Sequence, residues 1–199
     1  MPFSRLPLSL LAIAGAYLLG SVPFAILSSK LFGLADPRSY GSGNPGATNV
    51  LRSGNRLAAI CTLIGDSMKG WLAVCLAQMA EMNPDIVGLI AVAVFLGHLF
   101  PLFLKFKGGK GVATAAGILL AIDPWMGLAA LGGWLAVMLA WRYVSLASVA
   151  AALAAPVYAF FFQKAYVLPV ALIAVALIVK HRQNLERLKN GTEPRFGIK

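Results

Sequence analysis

Two short glycine-rich stretches carry most of the residues able to handle a phosphate. The first, residues 41–52, reads GSGNPGATNVLR. Glycines such as Gly41 and Gly43 let successive backbone N–H groups converge on an anion. Ser42, Asn44, Thr48 and Asn49 add neutral donors, and Arg52 adds a forked guanidinium suited to phosphate. The second stretch, residues 105–117, reads KFKGGKGVATAAG and sets Gly108, Gly109, Lys110 and Gly111 directly before a short apolar run. A helix beginning there favours an anion through its free N–H groups and dipole, with Lys110 supplying a point charge. Either loop taken singly is also what a tight polar turn between helices looks like; two such nests together suggest two phosphate groups.

Further polar clusters punctuate the apolar sequence. Asp66 and Lys69, in GDSMKG, stand three apart on one helix face, as a structural ion pair or as part of a reaction centre. Arg142, Ser145 and Ser148 lie in WRYVSLAS, where Arg142 suits a topology anchor and the serines suit substrate donors or helix packing. In HRQNLERLKNGTE, His181 and Asn184 share a helix face ahead of the turn Gly191, Thr192, Glu193, which makes them candidates for catalysis or binding. His98, in GHLFP, reads as a buried, hydrogen-bonded helix residue with no obvious partner.

What is missing narrows the chemistry. Residues 41–46 match the dinucleotide fingerprint G-x-G-x-x-G, but that pattern has meaning only between a strand and a helix, and here apolar spans flank it. Gly111 stands where a Walker loop has Ser or Thr after its lysine. Asp36, Asp66, Glu186 and Glu193 are the few carboxylates near the basic segments, a poor supply for a magnesium site, and no metal is expected. No G-x-S-x-G elbow or Cys/His pair occurs, and neither histidine has an aspartate four residues on. Cationic and neutral donors without strong bases suit binding two anionic groups and stabilising a phosphate leaving group.

The elements that position these residues are membrane helices. Of 199 residues, 59% are hydrophobic and 12% charged, too apolar for a soluble domain. Seven apolar segments emerge: 6–32, 57–80, 86–104, 112–122, 125–141, 145–162 and 166–179. The fourth is short enough to be a re-entrant half-helix, and charge decides against it. With seven spans, all of the 17 Lys and Arg except Arg5, Lys164 and the intramembrane Lys69 fall on one side. The positive-inside rule then sets the N-terminus outside and the C-terminus in the cytoplasm. The apolar run near the start continues through Leu27 with no polar cleavage region, so it reads as the first span and not a cleaved signal. Cys61 and Cys75 would lie roughly 21 Å apart along one helix, beyond disulfide reach. The net charge of +10 is dispersed in short inner segments, which argues against nucleic acid and for a membrane surface and anionic substrates. GNPGAT and GGKGVAT resemble each other weakly, each expected to open a span running in the same direction.

Together GSGNPGATNVLR, GDSMKG, GHLFPLFLKFKGGKGVAT, RYVSLAS and HRQNLERLKNGTE, in this order over nearly the whole chain, resemble the bacterial acyl-phosphate:glycerol-3-phosphate acyltransferases. The resemblance implies one all-α domain over 1–199, seven transmembrane helices and a site on the cytoplasmic face of the bacterial inner membrane. It implies transfer of a fatty acyl group from acyl phosphate to the sn-1 hydroxyl of glycerol 3-phosphate, without a cofactor and by a monomer. Ser42, the glycines around it and the 108–111 loop are then expected at the acyl-phosphate head group. Arg52, Lys110, His181 and Asn184 are expected to hold glycerol 3-phosphate, with Asn44, Thr48 and Ser145 in support. The proton acceptor is His181 or a substrate phosphate oxygen. A transporter of phosphate or an organophosphate is the alternative from another class; polar residues crowded at one end and minimal outer loops disfavour it.

Overall fold

A computed structural model describes residues 6–197; Arg5 and Lys199, both counted in the charge pattern, lie outside them. The described residues form ten α-helices and no strand. Four of the apolar runs become segments long enough to cross a bilayer: α4 (Arg56–Met79), α5 (Pro84–Leu99) with the 3₁₀ turn that carries it on to Leu104, α7 (Pro124–Trp141) and α8 (Val144–Phe162). Side-chain caps explain three of their starts. Asn55 accepts from the Ala58 N–H at 2.9 Å, Asn83 from the Ile86 N–H at 2.9 Å, and Asp123 from Trp125 and Met126 at 2.7 and 3.0 Å. Pro84 and Pro124 follow two of these caps at the first helical position, where their fixed φ fits and no N–H is needed.

The first apolar run is not the continuous span that its hydropathy suggests. It divides into α1 (Leu6–Gly20) and α2 (Phe24–Leu31), bent by 42° at residues 21–23. Pro23 has no N–H and its ring crowds the preceding turn, so the helical ladder stops there. The expected run 86–104 also stops early, at Leu99; beyond Pro101 only a 3₁₀ turn, Leu102–Leu104, follows. The last apolar run gives α9 (Val167–Lys180), which meets the amphipathic α10 (Arg182–Lys189) at an angle of 55°. α6 (Val112–Ile122) has the expected bounds and 11 residues. The expectation that both loops open spans does not hold: GNPGAT opens only α3 (Ala47–Leu51), five residues followed by a turn, whereas GGKGVAT opens α6.

Small residues let two helix pairs approach backbone to backbone. A Cβ on Gly97 of α5 would lie 2.2 Å from the Tyr17 carbonyl oxygen of α1, and one on Gly20 2.1 Å from that of Val94. Between α4 and α6, a Cβ on Gly117 would lie 2.0 Å from the Ser67 oxygen and one on Gly70 2.4 Å from that of Thr114. Lipid tails are as apolar as leucine, so close dispersion contact, not solvent exclusion, holds such pairs. α5 is the central helix, packed against α1, α4, α6 and α9 with Val94, Phe95 and Leu99 fully enclosed. Large apolar side chains such as Leu11, Trp125, Leu139 and Phe160 to Phe162 point outward, the face an integral membrane protein presents to lipid. The turns joining α2 to α4 and α5 to α6, the start of α8 and the end of α9 meet at one end of this bundle.

Candidate active site

The first loop is organised from within by a residue that sequence reasoning counted only as a donor. Asn49, 2% exposed, accepts the Ser42 N–H on Oδ1 at 2.9 Å. Its Nδ2 donates to the Pro37 and Tyr40 carbonyls at 2.6 and 3.1 Å. This knot requires Gly41 to take φ +59°, and a Cβ there would strike Asn49 Oδ1 at 2.3 Å. The Arg52 side chain lies across the same glycine, its Nη1 3.2 Å from where that Cβ would stand. Gly43 donates to the Tyr40 carbonyl at 3.0 Å and Gly46 to that of Asn44 at 3.0 Å.

The second loop hangs from the end of α5. Gly108 and Gly109 donate to the Leu99 and His98 carbonyls, each at 3.2 Å. Lys180 also donates to the Leu99 oxygen at 3.0 Å, and Tyr17 Oη to that of Phe100 at 2.6 Å. The orphan carbonyls that any helix leaves at its C-terminus are thus satisfied by the loop and two neighbouring helices. Gly111, at φ +84° against the Phe95 ring, starts α6.

These bonds turn part of the two expected amide nests inward. The N–H groups of Ser42, Gly43, Gly46, Gly108 and Gly109 all point at oxygens of the protein itself. The glycines are present because the chain turns and packs tightly there. The donors left free are the Ser42 and Thr48 hydroxyls, both exposed, and the first N–H groups of α6; among the described residues none of them has an intramolecular partner.

Lys110 joins the loops to the tail. Its Nζ donates to Asn184 Oδ1, and Asn184 Nδ2 donates to Glu193 Oε1 at 2.7 Å. Ser145 Oγ donates to the same oxygen at 2.7 Å, and Arg187 Nε to Oε2 at 2.8 Å. Burial opposes the ionisation of Glu193, but the bonds from Asn184, Ser145 and Arg187 outweigh it and hold its carboxyl below the usual glutamate value. Burial also pushes the Lys110 ammonium down to about 8; Glu193 counters this, whereas Arg187 and Arg52 reinforce it. Arg52 is therefore near enough to be felt at Lys110. His181, buried at the joint between α9 and α10, has Nδ1 2.8 Å from the Leu177 carbonyl. A carbonyl only accepts, so Nδ1 carries the proton and neutral His181 keeps Nε2 as an acceptor.

The structure thus brings Lys110, Ser145, Asn184 and Glu193 into one bonded cluster, with the Arg52 charge and the neutral His181 ring near it. The hub, Glu193, is the residue that sequence reasoning placed only in a turn; a carboxylate in a tail with only one other, Glu186, was its signal. Beyond Glu193 the tail folds back, with the Phe196 N–H donating to the Arg142 carbonyl at 2.7 Å and Arg195 Nε to Tyr143 Oη at 3.1 Å. Arg142 thus does more than mark topology: its Nε donates in turn to the Phe196 oxygen at 3.2 Å. His98, expected to be buried and hydrogen-bonded but with no obvious partner, faces one on another helix: its Nδ1 lies 3.4 Å from Asp66 Oδ1. Asp66 is paired with Lys69 at 2.7 Å, in an approach not aligned as a hydrogen bond. Lys69 donates to the Val22 carbonyl in the break between α1 and α2 at 3.0 Å.

Fold and site define an integral membrane protein with a cationic, carboxylate-braced cluster at one end of its helix bundle. The chain belongs to the glycerol-3-phosphate acyltransferase family, whose sequence pattern matches residues 10–191. A glycerol-3-phosphate acyltransferase from Dechloromonas aromatica (strain RCB) is 60% identical over 95% of this chain and 96% of its own length. One from Bordetella pertussis (strain Tohama I) is 55% identical over 92% of this chain and 90% of its own. Among solved structures, the glycerol 3-phosphate form of PlsY (YgiH), an integral membrane glycerol 3-phosphate acyltransferase, superposes with a TM-score of 0.90. It is 38% identical and covers 95% of this chain and 96% of that one. The lysophosphatidic acid form gives 0.88 at 37% identity, with 95% of each chain covered.

Proposed function

We propose that this protein transfers a fatty acyl group from acyl phosphate to the sn-1 hydroxyl of glycerol 3-phosphate. The products are 1-acyl-glycerol 3-phosphate and inorganic phosphate, an entry step of phospholipid synthesis. The observation that carries the reading is the Lys110–Asn184–Glu193–Ser145 cluster beside Arg52: a pocket of fixed cations and donors. Such a pocket binds phosphate groups and stabilises a departing one.

The proposed reaction is a direct attack, without an acyl-enzyme. The sn-1 oxygen forms a bond to the acyl carbon, the acyl–phosphate C–O bond breaks, and phosphate leaves with the electron pair. Arg52 and Lys110 hold glycerol 3-phosphate, so that its hydroxyl meets the donor in an arrangement already fixed by binding. Asn184, bridging Lys110 and Glu193, orients the ammonium. Ser42 Oγ and the surfaces of Gly41, Gly43 and the 108–111 loop form the acyl-phosphate head-group site, with Asn44, Thr48 and Ser145 in support. The Nε2 of His181 is the protein's available proton acceptor; a phosphate oxygen of the substrate is the other. We place the site at the cytoplasmic face of the bacterial cell membrane, in a monomer whose seven spans count α1 with α2 as one and α6 as another.

Purified protein in lipid, given palmitoyl phosphate and glycerol 3-phosphate, is expected to release phosphate and form the lysolipid; palmitoyl-CoA is expected to fail as donor. Absence of product from folded protein overturns the activity, and equal rates from the thioester overturn the donor. Lys110→Ala and Arg52→Ala are each expected to abolish nearly all turnover with folding intact, and wild-type rates remove that residue from the mechanism.

A further inference from the structure

The glycines of GGKG are fixed by three different neighbours. Gly111 needs its left-handed backbone. Gly108 abuts main chain, since a Cβ there would lie 2.1 Å from the His98 carbonyl oxygen. Gly109 has no positive φ and could accept an alanine, but its Cβ would lie 2.3 Å from His98 Nε2 and 3.0 Å from Cε1. The Pro45 carbonyl of the first loop closes the same space, 3.1 Å away.

That imidazole is held from behind. Its Nδ1 faces Asp66, Asp66 is paired with Lys69, and Lys69 is anchored on the Val22 carbonyl. All three side chains are buried within the helix bundle, where ionisable groups are costly to keep. The row of contacts starts at the break in the first span, crosses α4 and the end of α5, and ends on Gly109. The next residue is Lys110.

We propose that Asp66, Lys69 and His98 are positioning residues for Lys110. They fix the imidazole against which Gly109 is seated, and so set the place of the neighbouring ammonium. This rests on the reading of Lys110 as a substrate-holding cation, and it gives Gly109 a reason distinct from anion binding.

A double-mutant cycle separates the two reasons. His98→Asn keeps a side-chain amide near the Nδ1 position facing Asp66 but removes the atoms that meet Gly109. His98→Gln carries its amide out to the Nε2 position. Gly109→Ala is expected to lower kcat/KM by about thirtyfold or more in the wild-type background, mainly through KM for glycerol 3-phosphate. In the His98→Asn background the further loss is expected to be below about threefold, whereas in His98→Gln it remains. Gly108→Ala, which meets main chain, is expected to show its full penalty in all three. His98→Asn alone is expected to raise KM several-fold.

An equal Gly109→Ala penalty in wild type and His98→Asn overturns the proposal, as does a harmless Gly109→Ala. A His98→Asn enzyme with wild-type KM overturns the link to Lys110. The unfolding midpoint, followed through the same cycle, tests the His98–Gly109 contact even in inactive variants. Wild-type protein that folds but makes no lysolipid overturns the functional reading alone, leaving the midpoint cycle to decide the contact.

Discussion

Replacing Glu193 by alanine removes one acceptor and unties three side chains at once. Its Oε1 takes the Ser145 and Asn184 donors, both at 2.7 Å, on a carboxylate whose side chain is 6% exposed. Hydrogen bonds to a charged, desolvated acceptor contribute about 1.5–3 kcal/mol each. The third partner, Arg187, is 39% exposed, so water screens that pair to about 0–1 kcal/mol. The loss for Glu193→Ala is therefore about 3–7 kcal/mol. For a chain of this size, each kcal/mol moves the unfolding temperature by about 2–4 °C, so a fall on the order of 10 °C is expected. Glu193→Gln keeps the shape and one acceptor oxygen but turns an amide nitrogen toward a partner donor, and should fall between. Because Asn184 also orients Lys110, turnover is expected to drop at least a hundredfold even below the melting temperature. Thermal unfolding in detergent, paired with phosphate release at low temperature, reads both effects. A Glu193→Ala protein melting within about 2 °C of wild type and turning over within threefold refutes the hub.

Lys110 has a folded pKa of about 8 against an ordinary 10.5, so the fold gives up that proton first. Its contribution to stability is therefore constant and unfavourable below about 8, and the penalty is relieved as pH rises from about 8 toward 10.5. Activity that needs the ammonium moves the other way, with kcat/KM falling above about pH 8; Lys110→Arg should carry the falling limb upward, and identical profiles would refute the assignment. Asn49→Ala removes three bonds from the first loop and is expected to cost about 2–4 kcal/mol and most of the turnover, while Thr48→Ala should melt as wild type; equal melting of the two variants would count against the knot. Gly117→Ala puts a methyl 2.0 Å from the Ser67 oxygen and should destabilise the α4–α6 pair, whereas Gly132→Ala on α7 enters open space and should be neutral or mildly stabilising. Melting temperatures of the two purified variants in one detergent decide that point.

The spans were legible because lipid imposes a length and an apolar composition on any crossing helix. Five of the expected runs match helices to within two residues at each end, with Asn55 and Asp123 as the visible caps of two of them. Hydropathy is blind to the backbone ladder, so the break at residues 21–23 was missed although Pro23 marks it. The glycine loops were recognisable by composition, but composition does not say where an N–H points. Gly108 and Gly109 turn theirs onto α5, a fact set by how the loop packs. His98 seemed solitary because its partner is 32 positions away, on another helix. Glu193 looked like a turn residue because the groups that bond it come from α8 and α10.

The braced pocket draws on residues scattered from 41 to 193, and the brace comes late in that order. A ribosome feeding this chain into a membrane delivers the first loop, the GGKG loop and Ser145 well before Asn184 and Glu193 arrive. Until the last apolar helix is inserted, Lys110 has neither its amide partner nor its carboxylate. In a nascent chain the bonded cluster is therefore completed only once insertion is nearly finished.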